Sequence, residues 1–230
     1  MSMVYLVPSR GRPENARALI TAWRTTRAGA ALVFVVDEDD PDGYKYINVV
    51  EELALPGVRV LFVPKPSRRG MVEGLNLAAV RECWSYEYVG FMGDDHRPRT
   101  THWDLCFENE FKRSMYLLLY GDDLVQRSNL PTAVVMRAEV IQRLGFMAPP
   151  PLQHMYVDNY WRALGEPNRI KFMPEVTIEH VHPIGGSVPW DEGYLLVNNG
   201  AVYDADGKVF SQFVTDGIIA EDRKKIEDIV

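Results

Sequence analysis

Residues 86–98 read YEYVGFMGDDHRP, an apolar run that stops in two carboxylates and an imidazole, Asp94, Asp95 and His96, just ahead of a proline. The run has the composition of a strand buried on both faces, where apolar residues are continuous rather than alternating. Three earlier segments share this design. VYLV (4–7) stops at Pro8 and the polar turn Ser9–Arg12, ALVFVV (31–36) at DEDDPDG, and VRVLFV (58–63) at PKPSRRG. Helical signals lie between them. Pro13 precedes Ala16, Leu19, Ile20 and Trp23 at helical spacing, and residues 44–54 and GLNLAAVREC (74–83) also have helix-forming patterns. Parallel strands need such crossovers, so the alternation predicts a doubly wound, mainly parallel α/β sheet. Ligands of such sheets bind outside the carboxyl ends of the strands. The four polar clusters fall at those ends and are predicted to form one site.

Downstream, MYLLLY (115–120) and TAVVMR (132–137) read as strands, and AEVIQRLG (138–145) as a short helix closed by Gly145. HMYVDNYWRALG (154–165) reads as a helix with Trp161 and Leu164 on its apolar face, and KFMPEVTIEHVHP (171–183) as extended. In the tail, Asn199-Gly200 and Asp206-Gly207 are hairpin-turn signals, followed by an amphipathic helix in IIAEDRKKIEDIV. The expectation is one domain over residues 1–194, with a β-hairpin and helix extension over 195–230 available to cover the active site or form an oligomer contact.

The chain of 230 residues is 47% hydrophobic and 25% charged, enough apolar content for one substantial core. Its formal charge of -7 argues against a general nucleic-acid or anionic-membrane surface, which needs clustered Lys and Arg. No apolar stretch is long enough to span a bilayer, and MVYLVPSR is too short for a secretory core and breaks at Pro8. Cys83 and Cys106 lack metal-type spacing and read as reduced packing residues. These features predict a soluble, cytoplasmic protein.

Asp94, Asp95 and His96 offer carboxylate and imidazole donors that suit Mn²⁺, or Mg²⁺ with waters in the remaining positions. Read alone, the same residues make a solvated acidic turn. His180 and His182, in TIEHVHP, are two apart and on an extended segment share one face, so they are candidates to complete the site. Asp37, and next to it Asp39, stand at a strand end where a carboxylate accepts hydrogen bonds from a base edge or a ribose hydroxyl. An EF-hand reading of the same acidic loop fails, because its twelfth position holds Val49 rather than Glu. Arg68 or Arg69 and Gly70 are candidates to meet phosphates or ribose, although no GxGxxG or GxxxxGK[ST] fingerprint occurs. Asp158 is either a general base toward an acceptor hydroxyl or an exposed helical carboxylate.

Together these segments resemble the GT-A glycosyltransferases, which use nucleotide-sugar donors, as an ordered string of motifs over roughly residues 3–192. The resemblance implies a Rossmann-type sheet flanked by helices. It implies that Pro8, Ser9, Arg10 and Arg12 of PSRGRPEN contact the nucleotide, that Asp37 binds the base, and that Asn76 of GMVEGLNLA belongs to the donor site. GDDH falls at the position of the metal-binding D-x-D motif, with Asp94-x-His96 similar to its D-x-H variant and Asp95 serving the sugar or a second metal contact. VDNYW resembles the segment in which an Asp is the general base of inverting transfer, here Asp158, with Val157 replacing the usual Glu. EHVHP resembles a late histidine ligand, either His180 or His182, and Asp191 is similar to an acceptor-loop contact. The implied reaction is metal-dependent transfer of a sugar, from a UDP-sugar before other donors, to an unidentified acceptor with inversion. A sugar nucleotidyltransferase, or a binding module without turnover, stays open as an alternative.

Overall fold

The computed structural model describes residues 1–67, 70–183, 195 and 199–229. The strands β1 (Met3–Pro8), β2 (Ala31–Asp37), β3 (Val58–Val63) and β4 (Tyr88–Phe91) pair in parallel in the order β3-β2-β1-β4. Their side chains alternate between two cores, as the period of a strand requires. Val4, Leu6, Val33, Val35, Val89 and Phe91 enter one. Met3, Tyr5, Val7, Leu32, Phe34, Val36 and Tyr88 enter the other. Continuous apolar runs in the sequence are therefore two interleaved faces, each covered by helices.

Helices α1 (Pro13–Thr25), α2 (Gly43–Leu53) and α4 (Trp103–Arg113) cover the second face. There Tyr5, Trp23 and Trp103 meet edge to face with ring centroids 4.9–5.7 Å apart, each pair adding about 0.5–1.5 kcal/mol beyond area burial. The opposite face is covered by α3 (Val72–Glu82), α5 (Ala138–Leu144) and α6 (Val157–Gly165), together with two C-terminal helices, α7 (Gly200–Thr215) and α8 (Ile218–Lys225). Strands β5 (His96–Pro98), β6 (Leu118–Asp122), β7 (Val134–Arg137) and β8 (Ile170–His180) extend the sheet to β3-β2-β1-β4-β7-β6-β8-β5. The added part is mixed. β7 runs antiparallel to β4 and β6, β8 parallel to β6, and β5 antiparallel to β8. The architecture is thus the α/β sheet flanked by helices that the sequence predicts.

The tail corrects one expectation. Residues 200–215 are helical, not a hairpin. Asn199 of the Asn-Gly pair is a helix N-cap, its side chain accepting from the Val202 N–H at 3.0 Å. Asp206-Gly207 lies inside the helix, where Asp206, Val209, Phe210 and Phe213 fall on one inward stripe. Phe213, Ile219, Ile226 and Ile229 join the main core, which ties the C-terminal helices to the domain. No helix among the described residues is long and apolar enough to cross a membrane.

Candidate active site

The carboxyl ends of β1, β2 and β4 open into a cleft of about 1330 Å³. Of the sequence-predicted residues, Pro8, Ser9, Arg10, Arg12, Asp37, Asp39, Gly70, Asp94, Asp95, His96, Asp158, His180 and His182 all line it. Strand ends from separate parts of the chain have met as the fold class requires. Arg68, Arg69 and Asp191 lie outside the described residues.

At one end, Arg10 reaches from the β1 loop to Asp37, with Nη1 at 3.1 Å from Oδ2, and also bonds Asp39. Lys65 Nζ lies 3.2 Å from Asp39. Burial raises the Asp37 carboxyl above the usual range against the opposing pull of Arg10, whereas the hydrogen bond from Arg10 lowers that of Asp39.

The centre is built by strand pairing. β5 runs antiparallel to β8 with His96 directly opposite His180, and the two rings stack with centroids 4.2 Å apart. Asp95 bridges them: its carboxylate oxygens lie 3.2 Å from His96 Nδ1 and 3.3 Å from His180 Nε2. Asp95, His96 and His180 are a candidate metal-holding group among the described residues. Burial works against the Asp95 charge, but hydrogen bonds from His180 and His96 outweigh it and hold the carboxyl well below the usual range. Burial also disfavours a charged His180, and Asp95 with Asp123 reverses this, raising it. His96 is lowered by burial and by His180, and His182 is pushed to about 4 by the same two causes.

The group fits a divalent cation. His96 Nε2 is fully buried without a hydrogen-bond partner. A Cβ on Gly93 would lie 2.5 Å from Asp95 Oδ1 and 3.1 Å from His96 Nδ1, so only glycine lets the turn fold this tightly over its own donors. One carboxylate oxygen and two imidazoles form a donor set suited to first-row divalent metals.

Two expected ligands stand apart from the cluster. Asp94 accepts from Ser9 Oγ at 2.6 Å, Arg12 Nη1 at 3.2 Å and Asn15 Nδ2 at 3.2 Å, so its carboxylate ties the β4 turn to the β1–α1 segment. Burial, then the neighbouring Asp95, raises it. His182 lies two residues past the end of β8, its ring 4.9 Å from that of His180. Of the two adjacent carboxylates, Asp95 rather than Asp94 thus lies beside His96 and His180. Asn76 is a further correction: it does not line the cleft. Its amide donates to the Ala148 carbonyl at 2.7 Å and accepts from the Met147 and Ala148 N–H groups at 2.9 Å, fixing that loop instead.

Asp158 opens α6 and is half-buried at the cleft wall, accepting the Asn159 N–H at 2.9 Å. Burial raises its carboxyl above the usual range. Two contributors escaped the sequence reading. Asp123, just after β6, accepts from the N–H groups of Val125, Gln126 and Arg127 and stands 3.9 Å from His180 Nδ1, at ion-pair distance. The signal was available in Gly121-Asp122-Asp123, which ends an apolar run just as GDDH does. His154 lines the cleft with a buried Nδ1 that has no partner, and nothing in its local sequence marks it.

No known family model and no curated protein sequence matches the chain. Solved structures do match in fold. The mannosyltransferase PcManGT from Pyrobaculum calidifontis, in complex with GDP-Man and Mn2+, matches with a TM-score of 0.60 and 14% identity over 79% of this chain and 57% of that one. S. aureus TarS matches with a TM-score of 0.60 and 13% identity over 77% of this chain and 36% of that one. The catalytic domain of Drosophila beta1,4galactosyltransferase 7, in complex with xylobiose, matches with a TM-score of 0.50 and 11% identity over 86% and 79%. The chain therefore spans 57% and 36% of the length of the first two. With four polar strand ends converging on one cleft, this likeness defines the architecture: the chain has the GT-A-type fold of nucleotide-sugar glycosyltransferases.

Proposed function

We propose that this protein transfers a sugar from a nucleoside-diphosphate donor to an acceptor hydroxyl, with inversion, using Mn²⁺ or Mg²⁺. The observation that carries the reading is the Asp95–His96–His180 group facing the cleft of a GT-A-type fold. The PcManGT structure with GDP-Man and Mn2+ shows that a protein of this architecture holds such a pair.

The electrostatics favour a cation with the donor. Asp37, Asp39, Asp94, Asp95 and Asp158 line the cleft against Arg10, Arg12 and Lys65. Among the described residues, a diphosphate entering alone meets more carboxylates than cations. Asp95, His96 and His180 would hold the divalent ion, which would supply Lewis-acid stabilisation of charge on the leaving diphosphate. Asp37 and Asp39, poised by Arg10, take the nucleoside. Ser9, Arg12 and Asn15 lock Asp94 and so fix the turn that presents the metal-holding side chains. His182 stays neutral near pH 7, because its imidazole titrates at about 4, and serves as a hydrogen-bonding group at the reacting centre. Asp158 accepts the acceptor's hydroxyl proton, and its raised carboxyl is a stronger base than an exposed aspartate. Positioning and charge stabilisation supply most of the rate in this scheme.

Calorimetric titration of UDP, then GDP, with and without Mn²⁺ tests the reading on wild type and on an Asp95→Ala/His180→Ala variant. Metal-dependent binding of one nucleotide, lost in the variant, is the expected result. Absence of binding by both nucleotides with Mn²⁺ present sinks the transferase reading.

A further inference from the structure

The cleft is larger than a typical site for one small ligand. Its volume of about 1330 Å³ exceeds the roughly 300–1,000 Å³ typical of a site for a single small ligand. Two tyrosines, Tyr156 and Tyr203, line both the cleft and an adjoining open hollow of about 430 Å³. Tyr156 immediately precedes α6 and has φ 61°, a conformation that strains any residue other than glycine. Its ring lies flat against α7, stacked on Phe210 at 5.5 Å, where a Cβ on Gly207 would crowd it at 3.2 Å. Tyr203 stands beside it, centroids 5.1 Å apart, and is 54% exposed despite bordering a buried polar centre. Asp204, Lys208 and Ser211, successive turns of α7, line the hollow next to these rings.

An exposed aromatic face ringed by a carboxylate, an ammonium and a hydroxyl matches one ligand chemistry well. A pyranose presents an apolar C–H face, which the negative face of an aromatic ring attracts, and a rim of hydroxyls, which the polar groups bond. A hydrocarbon chain would leave those polar groups unpaired. Placement agrees. Tyr156 and Asp158 both line the cleft, so the platform and the proposed base open into the same space.

We propose that Tyr156 and Tyr203, with Asp204, Lys208 and Ser211, form the acceptor subsite and that the acceptor is a saccharide. This rests on the glycosyl-transfer reading and adds the substrate class to it. The helix that builds the platform is held to the cleft by Asp206, buried against the backbone of residues 153–155.

The test is saturation-transfer NMR on protein saturated with diamagnetic Mg²⁺ and the bound nucleotide. The probes are the methyl pyranosides of glucose, galactose, mannose and xylose, and the disaccharides cellobiose and lactose. At least one probe is expected to show transfer to its ring C–H protons. Tyr203→Ala should weaken it about fivefold to tenfold, and Tyr203→Trp should preserve it. Lys208→Ala, at an exposed position, should weaken it independently of any effect on folding. Nucleotide binding with no saccharide signal overturns the platform alone and leaves the transferase reading standing. Saccharide binding that Tyr203→Ala and Lys208→Ala leave unchanged overturns it too. Absence of nucleotide binding removes the parent reading and the subsite together.

Discussion

Asp206 accepts the backbone N–H of His154 at 2.9 Å from inside α7, and with the same carboxylate takes the N–H groups of Gln153 and Met155. The side chain is fully buried, so a C-terminal helix holds the loop that leads to Asp158. Asp206→Ala leaves several buried donors unpaired and is expected to cost about 2–4 kcal/mol. Urea unfolding of the two proteins measures it. A loss within experimental scatter would mean that the loop is held by other contacts.

Gly93→Ala addresses the candidate metal-holding group without replacing any of its side chains. The new Cβ would sit 2.5 Å from Asp95 Oδ1, so Asp95 and His96 must move apart from their present positions. The expected outcome is a fall in Mn²⁺ affinity of at least about tenfold, as for displaced supporting contacts, with unchanged far-UV circular dichroism. Calorimetry reads the affinity directly. Retained affinity would exclude Asp95 and His96 as the ligand pair.

Asp158→Asn removes the proposed base while preserving shape. Donor-to-acceptor transfer is expected to drop by about 10²–10⁴-fold, with nucleotide binding retained. Burial raises the carboxyl, so wild-type activity should decline on acidification at a pH above the ordinary aspartate range, as the base form is protonated. The pH–rate profile of kcat supplies the check. A variant with wild-type kcat would point to retention rather than inversion.

Glu110 tests a pair far from the cleft. The residue is buried on α4, accepting from Arg113 Nε at 2.7 Å and lying 2.9 Å from Lys171 Nζ at the start of β8. Burial opposes its charge, yet hydrogen bonds from Lys171 and Arg113 prevail and lower its carboxyl. A depressed folded value means that the stabilisation is present above the ordinary glutamate value of about 4.3 and is lost as pH falls through the folded value. Glu110→Gln should therefore cost about 1–3 kcal/mol at neutral pH and progressively less in acid. Urea unfolding at neutral and acidic pH decides it, and a pH-independent cost would assign the effect to packing.

Much of the first half of the fold was legible because its signals are local. Apolar runs of strand length, Pro13 at a helix start and polar breaks at strand ends predicted β1 to β4 and the helices between them. Helix α4 went unread although Trp103, Phe107 and Phe111 carry its four-residue spacing. Competing signals misdirected the tail, since Asn-Gly can begin a hairpin or cap a helix. The choice was made by burial of Asp206 and Phe213 against distant residues.

The sequence by itself determined the strand-end clusters, and with them a polar site on an α/β sheet, because alternation and chain punctuation act between neighbours. It also determined which residue types were present to hold a metal. Only the tertiary structure decided which of them come together. Asp94 and Asp95 are adjacent and chemically identical, and they differ because Ser9, Arg12 and Asn15 engage the first, whereas His96 and His180 face the second. His96 meets His180 through an antiparallel pairing between β5 and β8, far apart along the chain. Strand register is set by cooperative packing of the whole sheet, and no local window of sequence contains it.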